Sequence, residues 1–248
     1  MNGGSRLMAY RQRLSCLLLA LVSLWGCSYH YVAGPLGPSE AQGEGMTIAD
    51  DGSLTFGQGR LEVTLRPMTD GELDRRTQAV GGVSPYTYED VVFEDGLARS
   101  RFTVFLLSVK NYEFPKVVID PAQVELIAAN GRHYWTLNRQ QLETYFRSYA
   151  TGYRGNEYSD FQERMDVLNG TMYTDDAVFS GQENEGYVVF PVLHEDVGAV
   201  EVVVHDAALR FDFRDVPAEV VDIGYRFERK VGKKSWRESP TRTASVVH

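Results

Sequence analysis

Cysteine and histidine are scarce in this chain of 248 residues, which holds two of the first and five of the second. Two cysteines cannot build a disulfide framework, so stability must come from a buried core. The composition, 43% hydrophobic and 12% aromatic, can supply that core and rules out a disordered or collagen-like chain. No apolar run reaches the ~20 residues of a stable membrane-spanning helix. The G-x-S-x-G elbow, the P-loop, the Rossmann glycine fingerprint and H-E-x-x-H are all absent. His194-Glu195 continues as Asp196-Val197-Gly198, so a second metal-binding histidine is missing there. His30, His133, His194, His205 and His248 show no pair at metal-ligand spacing. His133 and His205 fall in or at the ends of expected strands and read as structural or surface histidines. The sequence therefore assigns no catalytic residue, no cofactor and no metal site, and the expectation is a protein that is not an enzyme.

Charge is what the chain does have, and it is unevenly placed. Residues 1–26 carry Arg6, Arg11 and Arg13 and no acid, a net of +3. Residues 28–228 carry a net of -17, and the end from Arg229 onward a net of +5. An acidic body argues against nucleic acid as a partner. The acidic pairs Asp50-Asp51, Glu89-Asp90, Glu94-Asp95, Asp175-Asp176 and Glu195-Asp196 lack the calcium-loop pattern and read as solvated turns.

The three arginines precede an apolar run from Leu14 to Trp25, the length of a signal-peptide core. On charge and run length alone, an uncleaved anchor or an ordinary secretory signal would also fit. The run ends in Leu24-Trp25-Gly26-Cys27, which resembles the lipobox of bacterial lipoproteins. That resemblance implies cleavage after Gly26 and lipidation of Cys27, with membrane attachment through two or three acyl chains, palmitate among them. One chain gives marginal binding, whereas two or more hold a protein stably. In a Gram-negative source, Ser28 would further imply an outer-membrane address facing the periplasm. Cys16 would leave with the signal, so the folded domain would contain no thiol.

Residues 27–47, with Gly34-Pro35 and Gly37-Pro38, read as the lipidated cysteine and a flexible tether, and 230–248 as a basic flexible tail. Between them, residues 48–229 alternate apolar and polar with period two, the signature of strands. Leu61, Val63 and Leu65 form one set, Leu209, Phe211 and Phe213 a second, and Val221, Ile223, Tyr225 and Phe227 a third. Phe102–Val109 is apolar on both faces and should be a central strand. Gly186–Phe190, stopped by Pro191, and Val200–Val204 are further strands. Asn130-Gly131 should turn a hairpin between Val124–Ala128 and His133–Leu137.

Two segments switch to helical spacing. Leu142, Tyr145, Phe146 and Tyr149 follow Asn138 as N-cap, and Phe161, Met165 and Leu168 follow a Ser159/Gln162 capping box. The expected fold is mainly β, an antiparallel β-sandwich with a short α-helical insertion at about 138–170. The layout from Phe102 to Phe190 resembles the immunoglobulin-like domains of bacterial lipoproteins and other surface proteins. Many such domains have no assigned role, so the resemblance adds little about function. The expectation is a non-catalytic interaction or structural module with a protein partner in the cell envelope. Tyr149, Tyr153 and Tyr158 are the candidate partner-binding residues. The alternative is a periplasmic ligand-binding or hydrolytic protein that uses the helical insertion as a lid.

Overall fold

The computed structural model describes residues 29–79, 81–88, 99–152 and 158–235. By internal packing the chain divides into residues 33–231 and the two chain ends that flank them. In the larger unit two five-stranded antiparallel sheets face one another across a shared core.

The first sheet joins β3 (Met46–Ile48), β4 (Leu54–Gln58), β5 (Leu61–Pro67), β6 (Phe102–Asn111) and β11 (Gln182–Pro191) in the order β11-β6-β5-β4-β3. The second joins β2 (Gly37–Pro38), β8 (Val124–Ala128), β9 (His133–Trp135), β12 (Ala199–Phe211) and β13 (Pro217–Glu228) in the order β2-β13-β12-β8-β9. Short β7 (Lys116–Val117) and β10 (Val178–Phe179) pair separately. In immunoglobulin terms β5, β6 and β11 stand as strands A, B and E, and β8, β12 and β13 as C, F and G. The expected immunoglobulin-like β-sandwich is the fold observed.

The sandwich forms because each strand contributes every second side chain. Leu61, Val63 and Leu65 of β5 are buried, while Glu62 is exposed. Ile223, Tyr225 and Phe227 of β13 meet them from the other sheet. Tyr225 also donates its hydroxyl to the Val63 carbonyl at 2.8 Å, a buried polar link between sheets. Asn111 ends β6 with its side chain saturated. Its amide donates to Phe114 and Val178 carbonyls, both at 2.8 Å, and its oxygen accepts from the Phe114 amide at 2.9 Å.

β6 is central, as its two apolar faces require. Phe105, Leu107 and Val109 point into the sandwich, while Phe102 and Val104 point outward beneath the helices. There α2 (Arg139–Gly152) and α3 (Tyr158–Thr171) bury Leu142, Phe146, Phe161, Met165 and Leu168 in a second core. Asn138 caps α2 as expected, reciprocally with Gln141 at 2.8 and 2.9 Å. The insertion is thus a packed third layer on the first sheet.

Four readings are corrected. The segment read as a tether contains β1 (Tyr29–Ala33), β2 and β3. It lacks apolar periodicity because polar and backbone bonds hold it: the Ser39 amide donates to the Arg226 carbonyl at 2.9 Å, and Gln42 brackets Arg226 with its side chain. The start of the supposed tail is also ordered, since β14 (Val231–Ser235) pairs with β1 and places Lys233 over the rings of Tyr29 and Tyr31 at 4.7 and 5.4 Å. Val200–Val204 and Leu209–Phe211 are one strand, interrupted by a bulge at Asp206, whose φ is 52°. Phe213 lies beyond it in the β12–β13 turn, 90% exposed rather than in the core. Finally, helix α1 (Asp70–Ala79) was not anticipated. Its buried side chains are Leu73 and Thr77, so the apolar period is carried by a single residue.

A capping box announces α1 all the same. Thr69 accepts the first helical amides, and its own amide and hydroxyl donate to Glu72 at 3.1 and 2.8 Å. Partial burial pushes the Glu72 carboxyl up, but the 2.8 Å bond from Arg66 and those from Thr69 outweigh it and hold it at about 2.

Candidate functional site

The helices cover the first sheet, and the outer face of the second carries an unusual grouping of side chains. Register explains how it assembles. Trp135 of β9 lies opposite Glu125 of β8, Glu125 opposite Val203 of β12, and Val203 opposite Gly224 of β13. In the neighbouring row His133 lies opposite Ile127, Ile127 opposite Glu201, and Glu201 opposite Arg226. The Asn130-Gly131 turn, with Gly131 at φ 81°, brings β9 back onto β8 and sets His133 diagonal to Glu125. His205 arrives from β12 just before the bulge, and the Asp206 amide there donates to Asp222 at 2.9 Å.

Glu125 is the centre of the group and is only 8% exposed. Its Oε1 is 2.6 Å from His133 Nδ1 and its Oε2 is 3.2 Å from His205 Nε2. Burial pushes its carboxyl up, yet the two imidazoles more than offset this and hold it below the usual range. The other nitrogen of His205 faces Asp222 at 3.6 Å. The indole of Trp135, 48% exposed, lies against the His205 ring with centroids 6.1 Å apart and planes tilted by 34°. The result is a fixed platform: one aromatic ring, two oriented imidazoles and one carboxylate beneath them. Among the described residues no three His, Cys, Asp or Glu side chains are placed to share a metal ion.

This arrangement has a pH consequence. A carboxyl held low in the folded state contributes stability above its unfolded pKa, and that contribution is lost as pH falls through the folded value. Glu125→Gln should therefore lose about 1 kcal/mol at pH 7. It should also unfold less steeply than wild type below about pH 4.5. Urea midpoints from pH 7 to pH 3 measure this. Parallel curves for the two proteins would show that Glu125 is not held by the histidines.

The sequence identified His133 and His205 as strand histidines without joining them, and did not single out Glu125, Trp135 or Asp222. Part of the site was readable. An Asn-Gly hairpin places residue 125 opposite 135, and an acid between Val124 and Leu126 must face outward. His205 depends on the pairing of β12 with β8, which no local signal specifies. Of the expected partner-binding residues, Tyr153 and the side chains of Tyr149 and Tyr158 lie outside the described residues, as does Cys27.

No family model and no curated protein matches the chain. Among solved structures it is similar to MPT63, a secreted protein from Mycobacterium tuberculosis, at 11% identity over 66% of this chain and 90% of that one. The TM-score of 0.30 makes that likeness too slight to bear on function.

Proposed function

We propose that the protein is a lipoprotein of the bacterial cell envelope whose sandwich serves as a non-catalytic interaction module. The observation that carries this reading is Leu24-Trp25-Gly26-Cys27 at the end of an arginine-led apolar run. Lipid on Cys27 would hold the protein at the membrane, with Ser28 directing it to the outer membrane on the periplasmic side. No helix among the described residues is long and apolar enough to cross a membrane. A lid formed by the helical insertion fits less well. The apolar side chains of α2 and α3 that a lid would present to a ligand are spent in packing on the first sheet.

Cys27→Ala tests the anchor. Wild type should sediment with membranes and incorporate labelled palmitate, while the variant should appear in the soluble fraction without label. Equal fractionation and labelling of the two would overturn the reading.

A further inference from the structure

We propose that the Trp135 face of the second sheet binds a polysaccharide built of pyranose rings. The proposal rests on the reading of the domain as an envelope interaction module, since that compartment holds such polymers, and it names the partner's chemistry.

A pyranose has a flat face of C–H groups and a rim of equatorial hydroxyls. Binding one takes an exposed aromatic ring for the face and fixed donors and acceptors beside it for the rim. The second sheet offers both. Trp135 sits on a strand rather than a loop, and one side of its indole is braced by His205. The His133 ring is 55% exposed and has Nδ1 turned to Glu125, which leaves Nε2 toward solvent as a partner for a hydroxyl. Asp222, 62% exposed, supplies an acceptor on the far side of His205. Glu125 orients both imidazoles from below, so little ordering remains to be done on binding.

The surroundings separate a glycan from a protein partner. A protein hot spot needs an apolar surround that excludes water. Here the neighbours of Trp135 are chiefly Glu125, His133 and His205, with Ile127 and Val203 only half-exposed between them. Gly224 ends the Trp135 row without a side chain of its own, and the Glu201 carboxylate of the neighbouring row leans into the space above it. An alanine there would press on Glu201 Oε1 at 3.0 Å.

The test uses the full mature chain in detergent with insoluble peptidoglycan sacculi, chitin and cellulose as probes, read by co-sedimentation. Wild type should bind at least one of the three. Trp135→Ala should weaken that binding about tenfold or more, Trp135→Phe should weaken it less, and Phe213→Ser, which removes an exposed aromatic elsewhere, should leave it unchanged. Circular dichroism confirms the fold of each variant. No binding to any probe, or binding that Trp135→Ala leaves intact, would overturn the proposal. The anchor is judged apart from it: a soluble, unlabelled wild type that still binds glycan would fail only the lipoprotein reading, and a lipidated one that binds none would fail only this proposal.

Discussion

Gly186→Ala should cost about 3 kcal/mol or more of stability and sharply lower the yield of soluble protein. An ideal Cβ at Gly186 would stand 2.5 Å from Tyr173 Cα and 2.7 Å from the Met172 carbonyl carbon. Both are backbone atoms, so no side-chain rotation relieves the overlap. The close approach exists because the chain leaving α3 docks on the outer edge of β11: Met172 bridges Tyr187 in parallel, and the Tyr173 amide donates to the Tyr187 carbonyl at 3.0 Å. Separating the two segments would break that link and lift Leu168 and Tyr187 out of the second core. Overpacking typically costs about 1–3 kcal/mol, and a backbone clash that also opens a core belongs at or above that range. Domains have only about 5–15 kcal/mol in total. Gly170 provides the contrast. It lies near the end of α3 with nothing within 4 Å of an added Cβ, so Gly170→Ala should be neutral or stabilising by up to about 1 kcal/mol. Soluble yield and urea midpoints compare the two. Equal stability of Gly186→Ala and wild type would rule out the α3–β11 contact.

Phe105→Ala should be nearly as severe, for the opposite reason. Phe105 is fully buried on β6, with ring centroids 5.9 Å from Phe190 of β11 and 5.2 Å from Phe227 of β13. It therefore joins two strands of the first sheet to one of the second, and the interlocked rings leave few ways to collapse into the vacated space. Truncating a buried Phe costs about 3–5 kcal/mol, the lost transfer energy plus the cavity. For a domain of this size that is a fall in Tm of about 10 °C. Phe213→Ala removes the same ring from a site 90% exposed and should change stability by less than about 0.5 kcal/mol. Thermal unfolding of both variants separates a packed aromatic from an exposed one. A small shift for Phe105→Ala would mean that the sheets are not held together at this point.

How much of this was legible in the residues depends on which force holds each element. Where burial decides, the pattern is open to view: Leu61, Val63 and Leu65 alternate because one face of β5 is dry, and Phe102–Val109 does not alternate because helices cover its second face. Asn130-Gly131 was equally plain, as its backbone conformation is written in residue type. Residues 29–48 were opaque because backbone bonds and Gln42 hold them, and such bonds leave no hydropathic trace. Leu209–Phe213 misled for a related reason. Its alternation is real up to Phe211, but the turn that frees Phe213 is fixed by Asp212 accepting from the Arg214 and Val216 amides at 2.8 and 2.9 Å. In the site, hairpin geometry made the Glu125–Trp135 pair accessible to reasoning. The His205 contact required knowing which strands pair across 80 residues.

The hydrogen bond from the Gly34 amide to the Lys230 carbonyl, 2.9 Å long, places both exits of the larger unit side by side at one pole of the sandwich. From that pole the twelve residues of β13 run about 40 Å to the Phe213 turn at the other. The unit is therefore nearly a closed ring, which a short linker across the exits could seal while the chain is reopened at Asn130-Gly131, a circular permutation that preserves both sheet orders. It also means that a segment joined directly at Val231 leaves the unit beside one joined directly at Ala33. A reporter that must stay clear of that attachment belongs instead in the Asp212–Val216 turn, at the opposite pole.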